Sequence, residues 1–210
     1  MSQQKPNSKR TETARRILDT ATEIFSESGF EGARVDEIAK RAGVNKATIY
    51  YHIGDKEALY ARVIHDLFGN AAEQVNQNIK SALSPQNKLK KYIRTIAGIV
   101  DRYPEIAAIM LREQASGGKN LPELVARDIA GIVGIITDIL DEGVEKGIFI
   151  ETKPLIVHLM IIGAIVLLKM STPIRSKYSE LSDTLKENHD RDAKDAATEV
   201  ERLVLNAVRK

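Results

Sequence analysis

The chain has 210 residues, of which 43% are hydrophobic and 29% are charged, a composition typical of a globular protein rather than a disordered or fibrous one. It contains no cysteine, which excludes a disulfide framework, a thiolate zinc site and thiol redox chemistry. The formal net charge of +2 hides an asymmetry, because residues 1–16 carry a net +4 and the remaining residues a net −2. We therefore expect a flexible, basic N-terminal arm in front of a nearly neutral body.

Apolar residues recur at helical spacing from the first predicted element onward. The first helix carries Ala14, Ile17, Ala21 and Phe25 on one face, and Gly29 lies where such a helix would end. Two short amphipathic segments follow, at 35–42 and 45–52, with Gly43 between them and Asn45 as a plausible N-cap. A long helix is then predicted from about residue 56 to about residue 79.

The rest of the sequence also predicts helices. Prolines begin helical patterns near residues 85, 104, 122 and 154, because proline is favoured at the first helical position. The helix from Pro154 is apolar on nearly all sides, and Pro173 lies just beyond its expected end. Residues 173–191 are expected to form a loop with a short helical turn, and a last amphipathic helix follows. The fold class predicted is all-α with about nine helices, divided into an N-terminal three-helix domain at residues 1–55 and a helical domain at residues 56–210.

The most apolar stretch runs from Leu155 to Leu168. As a helix it would cover about 21 Å, less than the roughly 30 Å of a hydrocarbon layer, so we interpret it as a buried helix rather than a membrane span. The first ten residues are polar and basic without an apolar core, which does not fit a secretory signal. These features predict a cytoplasmic protein with no membrane partner.

The segment from Val35 to His52 has the pattern of a helix-turn-helix. Ala39 is small where two helices would cross, Gly43 can adopt positive φ, and Ile49 can fill the angle between the helices. In that motif the second helix enters the major groove, although the shape alone also occurs in proteins that never bind DNA. The candidate DNA-binding residues are donors or small side chains on or beside the second helix: Arg34, Asn45, Lys46, Ala47, Thr48, Tyr50, Tyr51, His52 and Lys56.

From Arg10 to Val63 the sequence resembles the DNA-binding domain of the tetracycline-repressor (TetR) family of transcription regulators. The resemblance implies a three-helix DNA-binding domain followed by a helical domain that binds a ligand and dimerises. It implies base contacts from Lys46, Ala47, Thr48 and Tyr51, and phosphate contacts from Tyr50, His52 and Lys56. Arg34 follows Ala33 where the family usually has hydroxyl residues, so its phosphate contact would become ionic. The resemblance rests on Ile17-Leu18, Ala21, Phe25, Gly29-Phe30, Val35, Ile38-Ala39, Ala42-Gly43-Val44, Ala47 to His52, Lys56-Glu57 and Leu59.

The expected partners follow from the same resemblance. It implies a homodimer through the helices near 154–170 and 192–209, which would pair two recognition helices on double-stranded DNA with a palindromic operator. A large monomeric core is the alternative. The resemblance also implies an unknown small-molecule effector. The candidate ligand-binding residues are Tyr92, Tyr103, Met110, Arg112 and His158. The sequence supports them less strongly than the DNA-binding residues. His158 is explained more simply as a core histidine with a hydrogen-bond partner, and Arg112 as a surface ion pair with Glu113 or Asp101.

The expected function is a ligand-responsive transcriptional regulator, a repressor that a small molecule releases from its operator. No metal site is predicted, because none of the four histidines has a second histidine at helical spacing. No cofactor and no catalytic activity are expected either, since the sequence has no phosphate-binding glycine loop and no nucleophile elbow. Two alternatives remain: a small-molecule-binding helical protein with a non-functional DNA-binding domain, and an enzyme with a site among the long helices.

Overall fold

A computed structural model of the chain describes residues 5–188 and 193–210. These residues contain no strand, and one antiparallel bridge joins Phe149 to Arg209. The all-α prediction is confirmed, with a tenth helix in the segment that was expected to be mostly loop. The α-helices are α1 (Lys5–Gly32), α2 (Val35–Arg41), α3 (Lys46–His52), α4 (Lys56–Lys80), α5 (Pro85–Arg102), α6 (Pro104–Ala115), α7 (Glu123–Glu145), α8 (Pro154–Lys177), α9 (Asp183–Asn188) and α10 (Ala193–Val208), with a 3-10 turn at Ser179–Leu181.

The chain divides into two compact units. Unit 1 contains the chain up to Phe68 together with Ala108–Ala126, and unit 2 contains Gly69–Ala107 together with residues 127–210. Helices α4, α6 and α7 therefore contribute residues to both units. The predicted division at residue 55 concerns functional domains, and it stays a prediction.

One face of helix α1 lies in the core of unit 1. Ile17, Ala21 and Phe25 are fully buried, as their helical spacing predicts. Helix α1 already begins at Lys5, so residues 5–16 of the expected basic arm are helical, and the role of the arm stays a prediction. Near its other end, Gly29 has φ 68° and ψ 179°, a conformation that essentially only glycine adopts, and this interrupts the helical geometry.

Helices α2 and α3 form the predicted helix-turn-helix. Ile38, Ala39 and Ile49 are buried between them, and the turn is closed by a hydrogen bond from Val44 N to Ala39 O of 3.0 Å. Gly43 has φ 64°, so the turn uses the left-handed conformation that favours glycine. Ala39, Gly43 and Ile49 therefore have the positions in the helix-turn-helix that their spacing predicted.

In unit 2, α10 packs against α5 and α8, and α5 packs against α8. The bridge between Phe149 and Arg209 ties the turn before α8 to the end of α10, with hydrogen bonds from Ile150 N to Val208 O and from Lys210 N to Ile148 O. The ring of Phe149 lies directly over Gly143, at a distance that leaves no room for a Cβ atom there. A glycine is thus required at 143 by close packing.

Helix α8 is longer than the sequence predicted. Pro173 lies inside α8, which continues to Lys177. A proline lacks the backbone N–H that would bond to the carbonyl four residues earlier, which for Pro173 is the carbonyl of Lys169. Polar side chains bond to the neighbouring carbonyl, that of Leu168. Ser171 Oγ donates to Leu168 O at 3.1 Å, and the buried guanidinium of Arg175 donates to the same oxygen at 2.5 Å. The helix thus continues through the proline, and these side-chain bonds lie in the turn that precedes it.

Much of the apolar surface of α8 is exposed in the single chain. Within the described residues, α8 is the one helix long and apolar enough to cross a membrane by length and composition, with a mean hydropathy of 2.1 over its best 18 residues. Only 28% of that stretch is buried. The prediction that α8 is too short to span was therefore wrong, because the helix has 24 residues. The sequence predicted a helix that is apolar on nearly all sides, and the single chain leaves much of that apolar surface exposed to water.

Candidate nucleic-acid interface

The recognition helix α3 is started by Asn45. Its side-chain Oδ1 accepts a hydrogen bond from Ala47 N at 2.9 Å, and its carbonyl accepts one from Thr48 N at 2.8 Å. The N-cap prediction is therefore confirmed. Because the Oδ1 atom is used in capping, the amide nitrogen of Asn45 is the group that it could offer to DNA.

The outer face of α3 presents aromatic and small side chains. Tyr50 is 49% exposed and Tyr51 is 70% exposed, although they directly follow the fully buried Ile49. Tyr51 and His52 meet edge to face with 5.2 Å between ring centroids. Ala47 is exposed on the first turn of α3 and leaves space for close approach of another surface. A helix with one buried residue and two large exposed tyrosines is better suited to contact a partner than to complete a core.

Lys46, one of the residues expected at a base, already has a partner within the chain. Its Nζ lies 2.9 Å from Asp36 Oδ1 and 3.1 Å from Oδ2, and both side chains are exposed to water. The hydrogen bond to Asp36 raises the pKa of Lys46, so the ammonium group remains charged. Binding to DNA would require Lys46 to exchange this carboxylate for a base or a phosphate.

Two further cations were expected at phosphates. Lys56 Nζ lies 4.5 Å from the centroid of the Phe30 ring, a cation–π distance, and 3.5 Å from Glu31 O. Arg34 is exposed at the N-cap position of α2, where its backbone is extended. Nearby, Arg41 is held by Glu27 at 3.0 Å and by Glu37 at 2.6 Å, which links α1 to α2. The hydrogen bonds to these two carboxylates raise the pKa of Arg41.

Of the five candidate ligand-binding residues, the structure brings two together. In unit 2 the buried Tyr92 hydroxyl and His158 Nδ1 share a hydrogen bond of 2.7 Å. Burial raises the pKa of Tyr92 and lowers the pKa of His158. The bond gives His158 the partner that a core histidine needs, and it also places two polar groups side by side within an apolar helix bundle. Tyr103, also in unit 2, is partly exposed at the C-cap of α5.

Met110 and Arg112 belong to unit 1. The expected ion pair of Arg112 with Glu113 or Asp101 was wrong: Arg112 donates to Ser26 O at 3.2 Å and to Glu27 O at 2.7 Å. Asp101 is paired instead with Lys169 at 2.9 Å. Sequence reasoning missed these bonds because the acceptors are backbone carbonyls, which every residue carries.

The sequence also gave no signal for the buried pair of Tyr60 and Glu113. The tyrosine hydroxyl donates to the carboxylate at 2.5 Å, across 53 positions in the chain. Two polar residues that each lie inside an ordinary helix show no pattern until the fold brings them together. No cluster of metal-binding side chains occurs among the described residues.

Two family models match the sequence. "Bacterial regulatory proteins, tetR family" matches residues 17–63, and "Tetracyclin repressor-like, C-terminal domain" matches residues 82–169. The HTH-type transcriptional repressor NicS of Pseudomonas putida is 28% identical over 135 residues, which are 63% of this chain and 64% of NicS. The match thus spans slightly less than two thirds of that relative.

Solved structures share the fold over nearly the whole chain. HlyIIR, a hemolysin II transcriptional regulator, is 27% identical with a TM-score of 0.69, covering 96% of this chain and 99% of that one. FadR from Bacillus subtilis, solved in complex with stearoyl-CoA, has the same fold at 22% identity and a TM-score of 0.71, covering 93% of this chain and 99% of that one. The two matched segments include the helix-turn-helix and most of the helices that follow. The chain belongs to the tetR family of bacterial regulatory proteins.

Proposed function

We propose that the chain is a sequence-specific DNA-binding transcriptional regulator, a repressor that leaves a palindromic operator when a small molecule binds. The observation that carries the proposal is the outer face of α3, where Tyr50, Tyr51 and Ala47 are exposed beside the buried Ile49. The family and the repressor named among its relatives support the same function.

On DNA, α3 would lie in the major groove. Lys46, Thr48 and Tyr51 would contact base edges, and Ala47 would allow the close approach that such contacts need. Phosphate contacts would come from residues at the margins of α3, since phosphate contacts position a protein on the duplex without reading its sequence. The residues assigned to them are Arg34, Asn45, Tyr50, His52 and Lys56.

The homodimer is proposed to form through α8 and α10. Leu159, Met160 and Leu167 on α8 and Leu203 on α10 are each about half exposed in the single chain, an unfavourable arrangement for apolar side chains in water. An apolar groove of about 310 Å³ runs between the two helices. A second copy would cover this face and set two α3 helices on the two halves of a palindrome. Residue 192, at the edge of the predicted interface, lies outside the described residues.

The effector is proposed to bind within the helical domain, where Tyr92 and His158 are the polar groups best placed to recognise it. A ligand with one polar group and an apolar body would suit a buried Tyr–His pair, because each lost hydrogen bond must be replaced. Tyr103, Met110 and Arg112 remain weaker candidates. A coupling of about 1–3 kcal/mol between ligand and operator would change operator affinity roughly 5- to 150-fold.

The cellular context follows from the proposed partner. A regulator of operator DNA works in the cytoplasm, and the relatives are transcriptional regulators rather than enzymes. We therefore propose no catalytic activity and no cofactor. The exposed apolar face of α8 is assigned to a second copy of the chain and not to a membrane.

The first experiment selects bound duplexes from a random pool with the full chain, with and without a metabolite extract. Enrichment of a palindrome that the extract abolishes is the expected result. No enrichment would refute DNA binding and would favour the alternative, a helical ligand-binding protein whose helix-turn-helix is not functional.

The second experiment measures affinity for the selected duplex and for random duplex over a range of salt. Lys56→Ala and Tyr50→Phe should both weaken binding to both duplexes, because they remove phosphate contacts. Only Lys56→Ala should lower the salt slope, by about one unit. Lys80→Ala, which removes an exposed lysine at the far end of the same helix, is the matched control. Equal effects of Lys56→Ala and Lys80→Ala would contradict the assignment of Lys56.

A further inference from the structure

The end of α1 is held by a side chain from a distant part of the sequence. Gly29 interrupts the helical geometry, and a helix end leaves carbonyl groups that need donors. Arg112 on α6 supplies two N–H groups, from Nε to Ser26 O at 3.2 Å and from Nη2 to Glu27 O at 2.7 Å. A cation at this position also interacts favourably with the C-terminal end of a helix dipole. Arg112 therefore caps α1 from outside the helix.

The next residue, Glu113, holds the beginning of α4. Its carboxylate is only 4% exposed, and Oε1 accepts the hydroxyl hydrogen of the buried Tyr60 at 2.5 Å. Oε2 accepts from Asn120 N at 3.3 Å, in the segment that follows α6. Burial and the neighbouring carboxylate raise the pKa of Tyr60, so its hydroxyl stays protonated and continues to donate. Because unpaired buried carboxylates are costly, these bonds strongly favour one arrangement of α4 against α6.

Aromatic packing joins the start of α4 to the part of α1 that Arg112 contacts. The ring of Tyr60 lies 4.7 Å from the Phe25 centroid and 5.0 Å from the Phe30 centroid. Phe25 lies on α1 just before Ser26, and Phe30 follows Gly29. One turn of α6 thus fixes both the end of α1 and the start of α4 within unit 1.

We propose that Arg112 and Glu113 are positioning residues for operator binding. Helices α2 and α3 are inserted in the chain between the end of α1 and the start of α4. The orientation of α3 therefore depends on how firmly those two ends are held, and the proposal gives neither Arg112 nor Glu113 a contact with DNA. This inference rests on the proposed DNA-binding function.

Loss of positioning should affect specific and non-specific binding differently. Base contacts need side chains held within about 0.5 Å of their productive geometry, whereas flexible lysines and arginines can follow phosphates from many orientations. A loosely held α3 should thus lose affinity for the operator and keep most of its affinity for random duplex. A variant that only lowers the folded fraction would weaken both by the same factor.

The test measures the dissociation constants of the full chain for the selected operator and for random duplex across a range of salt. Arg112→Ala should weaken operator binding about tenfold, with random-duplex affinity and salt slope nearly unchanged. Arg112→Lys should recover part of the loss, since an ammonium can reach one carbonyl but not both. Arg62→Ala is the matched control, because it removes an exposed arginine of unit 1 that pairs with Asp66 on its own helix.

Glu113→Gln is the second variant, because its amide cannot accept from both Tyr60 and Asn120. It should lower the ratio of operator to random-duplex affinity in the same way, with thermal unfolding reporting the folded fraction. The proposal is overturned if Arg112→Ala matches wild type, or if it weakens both duplexes equally with a lower salt slope, as a phosphate contact would. A wild-type chain that binds neither duplex would refute the proposed function as well, so the two failures are distinguishable.

Discussion

Acidification should destabilise unit 2 through His158. The ring is 7% exposed and shares a 2.7 Å hydrogen bond with the Tyr92 hydroxyl, and burial lowers its pKa below the usual value of 6.5. In the unfolded chain the ring is solvated and binds a proton more readily. The contribution of the neutral buried ring to stability is therefore present above pH 6.5, and it is lost as the pH falls below that value.

The loss of unfolding free energy on acidification is limited, because His158 binds only one proton. If the folded ring stays neutral, lowering the pH from 7.5 to 5.5 reduces the free energy of unfolding by up to about 1.4 kcal/mol, the equivalent of one pH unit below the unfolded pKa. For a chain of this length that corresponds to a fall in Tm of up to roughly 3–6 °C. Other groups also titrate in this range, so the effect of His158 must be taken as a difference from a variant.

Urea unfolding of wild type and His158→Gln at both pH values gives that difference, since glutamine can still accept from Tyr92 and does not titrate. Wild type should lose more stability than the variant between pH 7.5 and 5.5, by up to about 1.4 kcal/mol. His65→Gln, at a partly exposed position on α4, controls for the replacement of a histidine elsewhere. Parallel pH dependence of wild type and His158→Gln would refute the argument, because it would mean that the buried ring binds a proton as readily as the unfolded one.

Three shorter predictions concern the turn, the recognition surface and the dimer. Gly43→Ala should lower the free energy of unfolding by about 1–2 kcal/mol, because φ is 64° and no neighbouring atom offsets the backbone strain. Gly43→Asn should lower it less, since asparagine tolerates positive φ better than alanine. Equal urea midpoints for Gly43→Ala and wild type would contradict the prediction. Asp36→Asn should release Lys46 and raise affinity for random duplex in a filter-binding assay, with a steeper salt slope. Leu159→Glu should convert a dimer to a monomer in analytical ultracentrifugation, and an unchanged sedimentation coefficient would exclude α8 from the interface.

Local rules predicted the parts of the fold that depend on neighbouring residues. The buried face of α1, the cap at Asn45 and the turn at Gly43 each follow from spacing, side-chain chemistry or a backbone conformation within a few residues. The helix-turn-helix is built almost entirely from such features, which is why its position and its exposed residues could be predicted from the sequence.

Two features could not be predicted, one of them local and the other dependent on distant residues. Pro173 was expected just beyond the end of α8, but the helix continues through it to Lys177, with Ser171 and Arg175 donating to the carbonyl of Leu168. The partners of Arg112 are carbonyls more than eighty positions away, exposed to it by the break at Gly29. At Pro173 the local rule was wrong about the end of the helix. At Gly29 it was correct about the break in α1, but it could not identify the distant arginine that bonds to the carbonyls there.

The charges around α3 explain why a nearly neutral chain suits the proposed repressor. Lys46 is bound to Asp36, Lys56 lies over Phe30, and Arg41 is held between two glutamates, so these cations have partners before DNA arrives. When a phosphate approaches, each cation must either leave its partner or bind the phosphate while still in contact with that partner. Either way, the non-specific contact contributes less to the free energy of DNA binding. Base contacts then provide a larger share of the affinity for the operator. Because the genome presents a vast excess of non-specific sites, weak electrostatic attraction raises the fraction of protein that occupies its operator.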